Sequence, residues 1–218
     1  MFTGIIQKVG KLKNRKINDD GSGAIQISCN EWDTELEKGE SIAVNGVCLS
    51  LEAYSKVSQE IITMNFSVLK ETLDRTTLSS LKLGSLINLE RALKANSKIG
   101  GHFVTGHIDE TATVISMKES GRDWRLEIEC SHEILQQIVY KGSIAVDGVS
   151  LTIAELTESS FTVFLIPLTI QETSLGRLRR FSKVNIETDI IGKYVYKQLA
   201  NYNKKNKIDM DSLIKAGF

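Results

Sequence analysis

Cys48 sits in the stretch "VNGVCLSL" (residues 44–51), a thiol in a strand-like run just after an Asn45-Gly46 turn signal. At an offset of 102 residues the chain repeats the wording as "VDGVSLTI" (146–153), with Ser150 in its place. A thiol or hydroxyl can add reversibly to an electrophilic carbon, and an imidazole within reach can move the proton. The stretch "GGHFVTGH" supplies His102 and His107, and Asp189 closes "VNIETD" with a carboxylate. Each group also has a plainer reading: Cys48 as a small core residue, His107 as a satisfied half-buried histidine, Asp189 as the N-cap of a following helix. A metal site is not expected. His102 and His107 lie five residues apart, which in a strand turns them to opposite faces, and no Cys-x-x-Cys occurs. No glycine-rich loop opens a helix, so no nucleotide fingerprint is read either.

The reactive positions belong to a long internal repeat. Thr3-Gly4 lies over Thr105-Gly106, and "SIAVNGVCLSL" (41–51) over "SIAVDGVSLTI" (143–153), with seven of eleven residues identical. The offset then becomes 97, setting "ETLDRTTLSSLKLGSLINLE" (71–90) over "LTIQETSLGRLRRFSKVNIE" (168–187). Where the copies differ, bland residues meet chemically useful ones. Ile5 corresponds to His107, Cys48 to Ser150, Asn45 to Asp147, Ser50 to Thr152, Ala92 to Asp189 and Lys70 to Pro167. Like surroundings with unlike reactive groups point to one pocket written twice, Ile5 marking the first copy's and His107 the second's. Cys29 and Cys130 end matching strands and read as structural.

Short runs rich in Ile, Val, Leu and Thr, broken by Gly and polar residues, predict antiparallel strands that close as a small barrel in each copy. "SVLKETLDRTTLSSL" and "LIPLTIQETSLGRL" predict a turn or two of helix between strands. After Asp189, "DIIGKYVYKQLANYNKK" places Ile191, Val195, Leu199 and Tyr202 on one side of a helix, a stripe suited to self-association or to packing on its own barrel. Asp209 marks one further capped turn. The expected fold is therefore all-β: barrels over 1–97 and 98–189 and a helical tail over 190–218. Lysine plus arginine equal aspartate plus glutamate at 27 each, which leaves no electrostatic footprint for nucleic acid or an anionic membrane. The N-terminus is too short and too quickly polar for a secretory signal, and three unpaired cysteines suit a reducing cytoplasm.

In order along the chain, "MFTGII", "NGVCLS", "GGHFVTGHI", "YKG", "DGVSLT", "LIPLTIQETSLG" and "VNIETD" resemble the riboflavin synthase family, over about residues 1 to 200. Ser50 departs from the family's usual threonine, and Leu168 stands where a polar residue is more familiar. The resemblance implies two six-stranded Greek-key barrels and a dismutation. Two molecules of 6,7-dimethyl-8-ribityllumazine react by four-carbon transfer, giving riboflavin and 5-amino-6-ribitylaminouracil. It implies no cofactor and a homotrimer whose site forms between barrels of different subunits, with lumazine synthase as a candidate partner. A non-catalytic lumazine- or flavin-binding antenna protein is the alternative.

On that resemblance His107 is the expected proton-transfer group, imidazole being the side chain that titrates near neutrality. Cys48 and Ser150, with Thr152, are expected to contact the ring and its adducts, and Asp189 to orient His107 or hold ribityl hydroxyls. Lys141 and Ser41 are expected to hydrogen-bond the ligand. The remaining first-copy wall is Gly4, Ile5, Ile6, Leu49, Ser50, Ser67, Val68, Leu69, Lys70, Glu71 and Thr72. The second-copy wall is Gly106, Ile108, Leu151, Ile166, Pro167, Leu168, Thr169, Ile170 and Gln171.

Overall fold

The structure, a computed structural model, describes residues 1–205, so the turn expected at Asp209 lies outside the described residues. Strands β1 (Lys8–Ile17), β2 (Gly23–Asn30), β3 (Ser41–Val44), β4 (Val47–Lys56), β5 (Ile61–Val68) and β6 (Leu86–Arg91) close one antiparallel barrel in the order β1-β2-β5-β4-β3-β6. Strands β7 (Glu110–Ser120), β8 (Asp123–Glu129), β9 (Ser143–Val146), β10 (Val149–Leu156), β11 (Ser160–Leu165) and β12 (Lys183–Thr188) close a second with the same cyclic order. Closure removes the free strand edges that short antiparallel sheets would otherwise expose. Helix α1 (Lys70–Arg75) and its counterpart α3 (Pro167–Glu172) link the fifth strand of each barrel to the sixth, each followed by a short 3-10 turn. Helix α2 (His132–Gln137), capped by the Ser131 hydroxyl, is not among the sequence expectations.

Alternation along the strands decides which side chains can do chemistry. In β4, Val47, Leu49 and Leu51 are buried in the first barrel's core, while Cys48 and Ser50 face outward. In β10, Val149, Leu151 and Ile153 fill the second core, while Ser150 and Thr152 face outward. Cys48 is thus not the core residue of the plainer reading. Cys29 is, and Cys130 packs half-buried against the second core. Burial pushes these two thiols up to about 11 and about 12, so both stay protonated.

Each β3–β4-type hairpin turns on two residues with positive φ, Asn45 (47°) and Gly46 (80°), or Asp147 (45°) and Gly148 (78°). Positive φ at both central residues matches the strand twist and explains the Asn-Gly and Asp-Gly pairs. The two tips meet: a Cβ on Gly46 would lie 2.8 Å from the backbone nitrogen of Gly148. Around them a polar joint ties the barrels. Asn88 donates its side-chain amide to the Asp147 carbonyl and accepts from Ser174 N–H; Asn185 does the same with the Asn45 carbonyl and Thr77 N–H. The Asn45/Asp147 difference therefore belongs to this joint and to neither pocket.

The segments ahead of β1 and β7 do not stay with their own barrels. Phe2 and Val104 pair with each other, Phe2 N–H to Val104 O at 2.7 Å and Val104 N–H to Phe2 O at 3.1 Å, over a small core of Phe2, Val104, Ala43 and Ala145. From that crossing each segment reaches the opposite barrel. Ile108 packs against the first barrel's core, and Ile6 against the second's.

Helix α4 (Ile190–Lys205) starts under Asp189, whose Oδ1 accepts the Ile191 N–H at 2.9 Å. One flank reaches its own barrel through Lys193–Asp109 and through the Tyr196 hydroxyl, which donates to Gln136 Oε1. Ile191, Val195, Leu199 and Tyr202 stay exposed, at 60, 53, 58 and 66%. No helix among the described residues is long and apolar enough to cross a membrane.

Candidate active site

The crossing decides which reactive groups meet. The Gly106 carbonyl accepts the Cys48 N–H at 2.9 Å, and a Cβ on Gly106 would sit 2.4 Å from that of Cys48. Only glycine permits this approach, at φ +87°. His107 is thereby carried to the first barrel. Cys48, Leu69, Glu71, Thr72, Gly106, His107 and Ile108 line one cleft of about 230 Å³ together with Val47, Arg75 and Thr76. The mirror contact is Gly4 on Ser150, with Ser150 N–H to Gly4 O at 2.8 Å and φ +75° at the glycine. Gly4 and Ile6, with the exposed Ile5 between them, accordingly belong to the second barrel's mouth. The assignment of Ile5 to the first pocket and His107 to the second is reversed by this exchange.

Around the first cleft, Ser41 and Ser50 stand directly opposite each other on β3 and β4. Ser67 is exposed near the end of β5, and Lys70 is drawn to Asp74 in an exposed ion pair. Leu49, Val68 and Leu151 send their side chains into the cores, so only their backbones can meet a ligand.

At the second mouth the structure adds His102, which the sequence pattern offers only as a disfavoured partner of His107 on a metal. His102 is 8% exposed, and its Nδ1 lies 2.7 Å from Ser150 Oγ. Its Nε2 is buried without a hydrogen-bond partner among the described residues. Burial holds its imidazole below the ordinary range, with the negative charge of Asp189 opposing, so the ring is neutral near pH 7. Asp189 is thus placed toward His102 and the start of α4, and the expected pairing with His107 is not formed. The signal in the sequence was Gly100-Gly101 before His102: a Cβ at Gly101 would meet Ser150 Oγ at 2.7 Å.

Thr152 is exposed opposite Ser143 on β9. Lys141 adopts φ +65°, donates its N–H to the Ile153 carbonyl at 2.9 Å, and rests its ammonium 5.0 Å from the Tyr140 ring centre. Ile166 and Leu168 are exposed where α3 begins, with Pro167 at its first turn. Thr169 accepts the Thr173 hydroxyl through its carbonyl, Ile170 packs on the core, and Gln171 is exposed. Two larger clefts, of about 780 and 770 Å³, lie one along β7 and β8, where Ile170 also lines it, and the other at the joint between the barrels.

Two buried carboxylates hold the crossing segments. Glu90, on β6, accepts from Thr3 N–H and hydroxyl and from Gly4 N–H; Glu187, on β12, accepts from Thr105 N–H and hydroxyl and from Gly106 N–H. Burial raises the Glu90 carboxyl, while those three donors pull it back down.

The two repeats, each crossed by the other's leader, correspond to a family that matches this chain twice. The Lumazine binding domain family matches twice, over residues 3–92 and 105–189. The chain is 43% identical to the riboflavin synthase of Bacillus subtilis, over 94% of this chain and 93% of that one. It belongs to the lumazine-binding family that includes the riboflavin synthases. The riboflavin synthase of Actinobacillus pleuropneumoniae is 40% identical and aligns along the whole of both chains. Among solved structures, LumP complexed with 6,7-dimethyl-8-(1'-D-ribityl) lumazine superposes with a TM-score of 0.72 at 27% identity, covering 86% of this chain and 99% of LumP. LumP complexed with riboflavin gives a TM-score of 0.73.

Proposed function

We propose that the protein catalyses the riboflavin synthase reaction, in which one molecule of 6,7-dimethyl-8-ribityllumazine gives four carbons to a second. The products are riboflavin and 5-amino-6-ribitylaminouracil. One observation carries the reading: the same contact is built twice, a glycine of one repeat's leader on the reactive residue of the other repeat, with a thiol and His107 at one place and a hydroxyl and His102 at the other. Identical substrates call for like clefts, and donor and acceptor roles call for unlike reactive groups. Electrons pass only between the two substrates, so the reaction asks for no nicotinamide or metal.

In this reading His107 moves the proton of a ring C7-methyl group beside the Cys48 pocket. Cys48 and Ser150 face ring carbons that take up and release a nucleophile, with Ser41, Ser50, Thr152 and Lys141 hydrogen-bonding ring and ribityl groups. Asp189 acts on the second mouth through His102. Residues 1–97 and 98–189 serve as the two binding barrels, and 190–218 as the assembly element.

The first cleft, at about 230 Å³, falls below the roughly 300–1,000 Å³ of a complete ligand pocket. Its rim residue Leu69 and the second mouth's Ile166 and Leu168 are 73, 52 and 61% exposed. These features support a site completed by docking the first barrel of one subunit on the second barrel of another, within a cytoplasmic homotrimer joined through α4. Lumazine synthase is a candidate partner of that assembly.

Incubation of the purified protein with the lumazine alone tests the proposal through the rise of flavin absorbance. The likeness to LumP makes one other reading specific, a protein that binds the lumazine as a chromophore. Bound but unconverted lumazine would establish it and displace the enzyme reading.

A further inference from the structure

Glu90 and Glu187 occupy matching places in the last strand of each barrel and are 3% and 1% exposed. A buried carboxylate is costly unless its oxygens are met by donors, and here each one meets three. Glu187 Oε1 accepts from Thr105 N–H at 2.6 Å and from the Thr105 hydroxyl at 2.7 Å, and Oε2 accepts from Gly106 N–H at 2.9 Å. Those two residues precede His107, whose own N–H turns back to the Thr105 hydroxyl oxygen at 3.4 Å. The carboxylate therefore fixes the backbone one residue from the imidazole. It does so from the second barrel, while His107 and Gly106 line the first barrel's cleft with Cys48.

We infer that Glu187 is a positioning residue for the first barrel's reactive pair, acting across the barrels by holding the Thr105–Gly106 turn that sets His107 beside Cys48. Glu90 does the same in the other direction, holding Thr3 and Gly4 so that Gly4 covers Ser150. The wiring is crossed: a change on the second barrel's strand is felt in the first barrel's cleft. The inference rests on the proposed role of His107 in proton transfer, but its structural half can be read without turnover.

Glu187→Gln keeps the side chain's shape and turns an NH2 group toward Gly106 N–H, donor facing donor. Displacing a proton-transfer group by about an ångström costs up to about 100-fold in rate, so kcat for lumazine conversion is expected to fall about 10- to 100-fold with a smaller change in KM. Alkylation of Cys48 by iodoacetamide, followed on its peptide by mass spectrometry, is expected to change several-fold in Glu187→Gln. It should keep its wild-type rate in Glu90→Gln, which instead shifts the ring resonances of His102. Thermal melting checks that the variants are folded. Should Glu187→Gln fail to fold, Thr105→Val, which deletes only the hydroxyl donor, decides in its place with the same direction and a smaller effect. A folded variant whose Cys48 alkylation and kcat both match wild type overturns the inference, as does a response confined to the Ser150 side. A wild-type protein that makes no flavin sinks the proposed function instead, leaving the crossed alkylation pattern to judge the positioning.

Discussion

Asp147 and Asn45 do the same work at the joint between the barrels with different charge. Asn45 Oδ1 accepts the Asn88 N–H, and Asp147 Oδ1 accepts the Asn185 N–H, each at 2.8 Å. Burial pushes the Asp147 carboxyl from the ordinary 3.8 up to about 7, with the Asn185 N–H pulling the other way. An acid raised in this way is protonated in the folded chain while the unfolded chain has already ionised. Folding therefore loses stability progressively from about pH 4 to about pH 7, and the loss is complete above that. At about 1.4 kcal/mol per pH unit, the full loss is on the order of 4 kcal/mol. Asp147 lines a cleft open to solvent, so this is a ceiling. Asp147→Asn installs the residue that position 45 already carries. At pH 8 the variant is expected to melt higher, by at most roughly 8–16 °C for a chain of this size. The gap should narrow steadily as pH falls toward 5. Melting curves of the two proteins, run side by side from pH 5 to 8, give the difference directly. The neutral His102 makes both proteins less stable as pH drops through the ordinary histidine range, and that shared loss cancels in the comparison. A gap that does not vary with pH, or a variant less stable at pH 8, would refute the reasoning.

Three further outcomes are expected. Cys48→Ala and Ser150→Ala should both lower turnover and leave the fold intact; Cys48→Ala should change stability by less than about 1 kcal/mol, and Ser150→Ala, which strips the buried His102 Nδ1 of its partner, should cost about 1–3 kcal/mol. For Cys48, lost melting temperature with full activity per folded molecule would return it to the core. Val195→Asp combined with Leu199→Asp should give folded monomers that still bind ligand through the first barrel but convert little of it, since losing large apolar contacts costs on the order of 2 kcal/mol or more per helix; sedimentation and turnover over one concentration series would expose the error if a monomer kept full activity. Residues 1–97 alone lack the segment that covers Cys48, so the fragment should dimerise, each copy's Gly4 taking the place of Gly106 on the other's Cys48; a monomer by sedimentation equilibrium would contradict the exchange.

Within each repeat the barrels were legible because strand alternation, Asn-Gly and Asp-Gly turns and the two linking helices are local signals. The outward direction of Cys48 and Ser150 follows from that alternation once Val47, Leu49 and Leu51 are taken as core. What could not be read was the destination of the leaders. Local pattern aligns Ile5 with His107 but holds nothing about which barrel each segment packs upon, since that depends on the distant contacts Gly4–Ser150 and Gly106–Cys48. Glu90 and Glu187 were hidden for the same reason, as strand-end acids whose donors lie more than 80 residues away. The strand argument against a shared metal on His102 and His107 does not apply locally, since 102–108 is not a strand beyond the single Val104 bridge. The conclusion that the two histidines diverge still holds, one going to each barrel.

In the proposed reaction two like barrels hold two identical rings and treat them differently. Supplying 6,7-dimethyl-8-ribityllumazine as the sole small molecule and quantifying all three species by chromatography tests it most directly. Two lumazines are expected to be consumed for each riboflavin and each 5-amino-6-ribitylaminouracil formed, with no added cofactor. Lumazine recovered intact from the protein, or riboflavin appearing without an equal amount of the aminouracil, would contradict it.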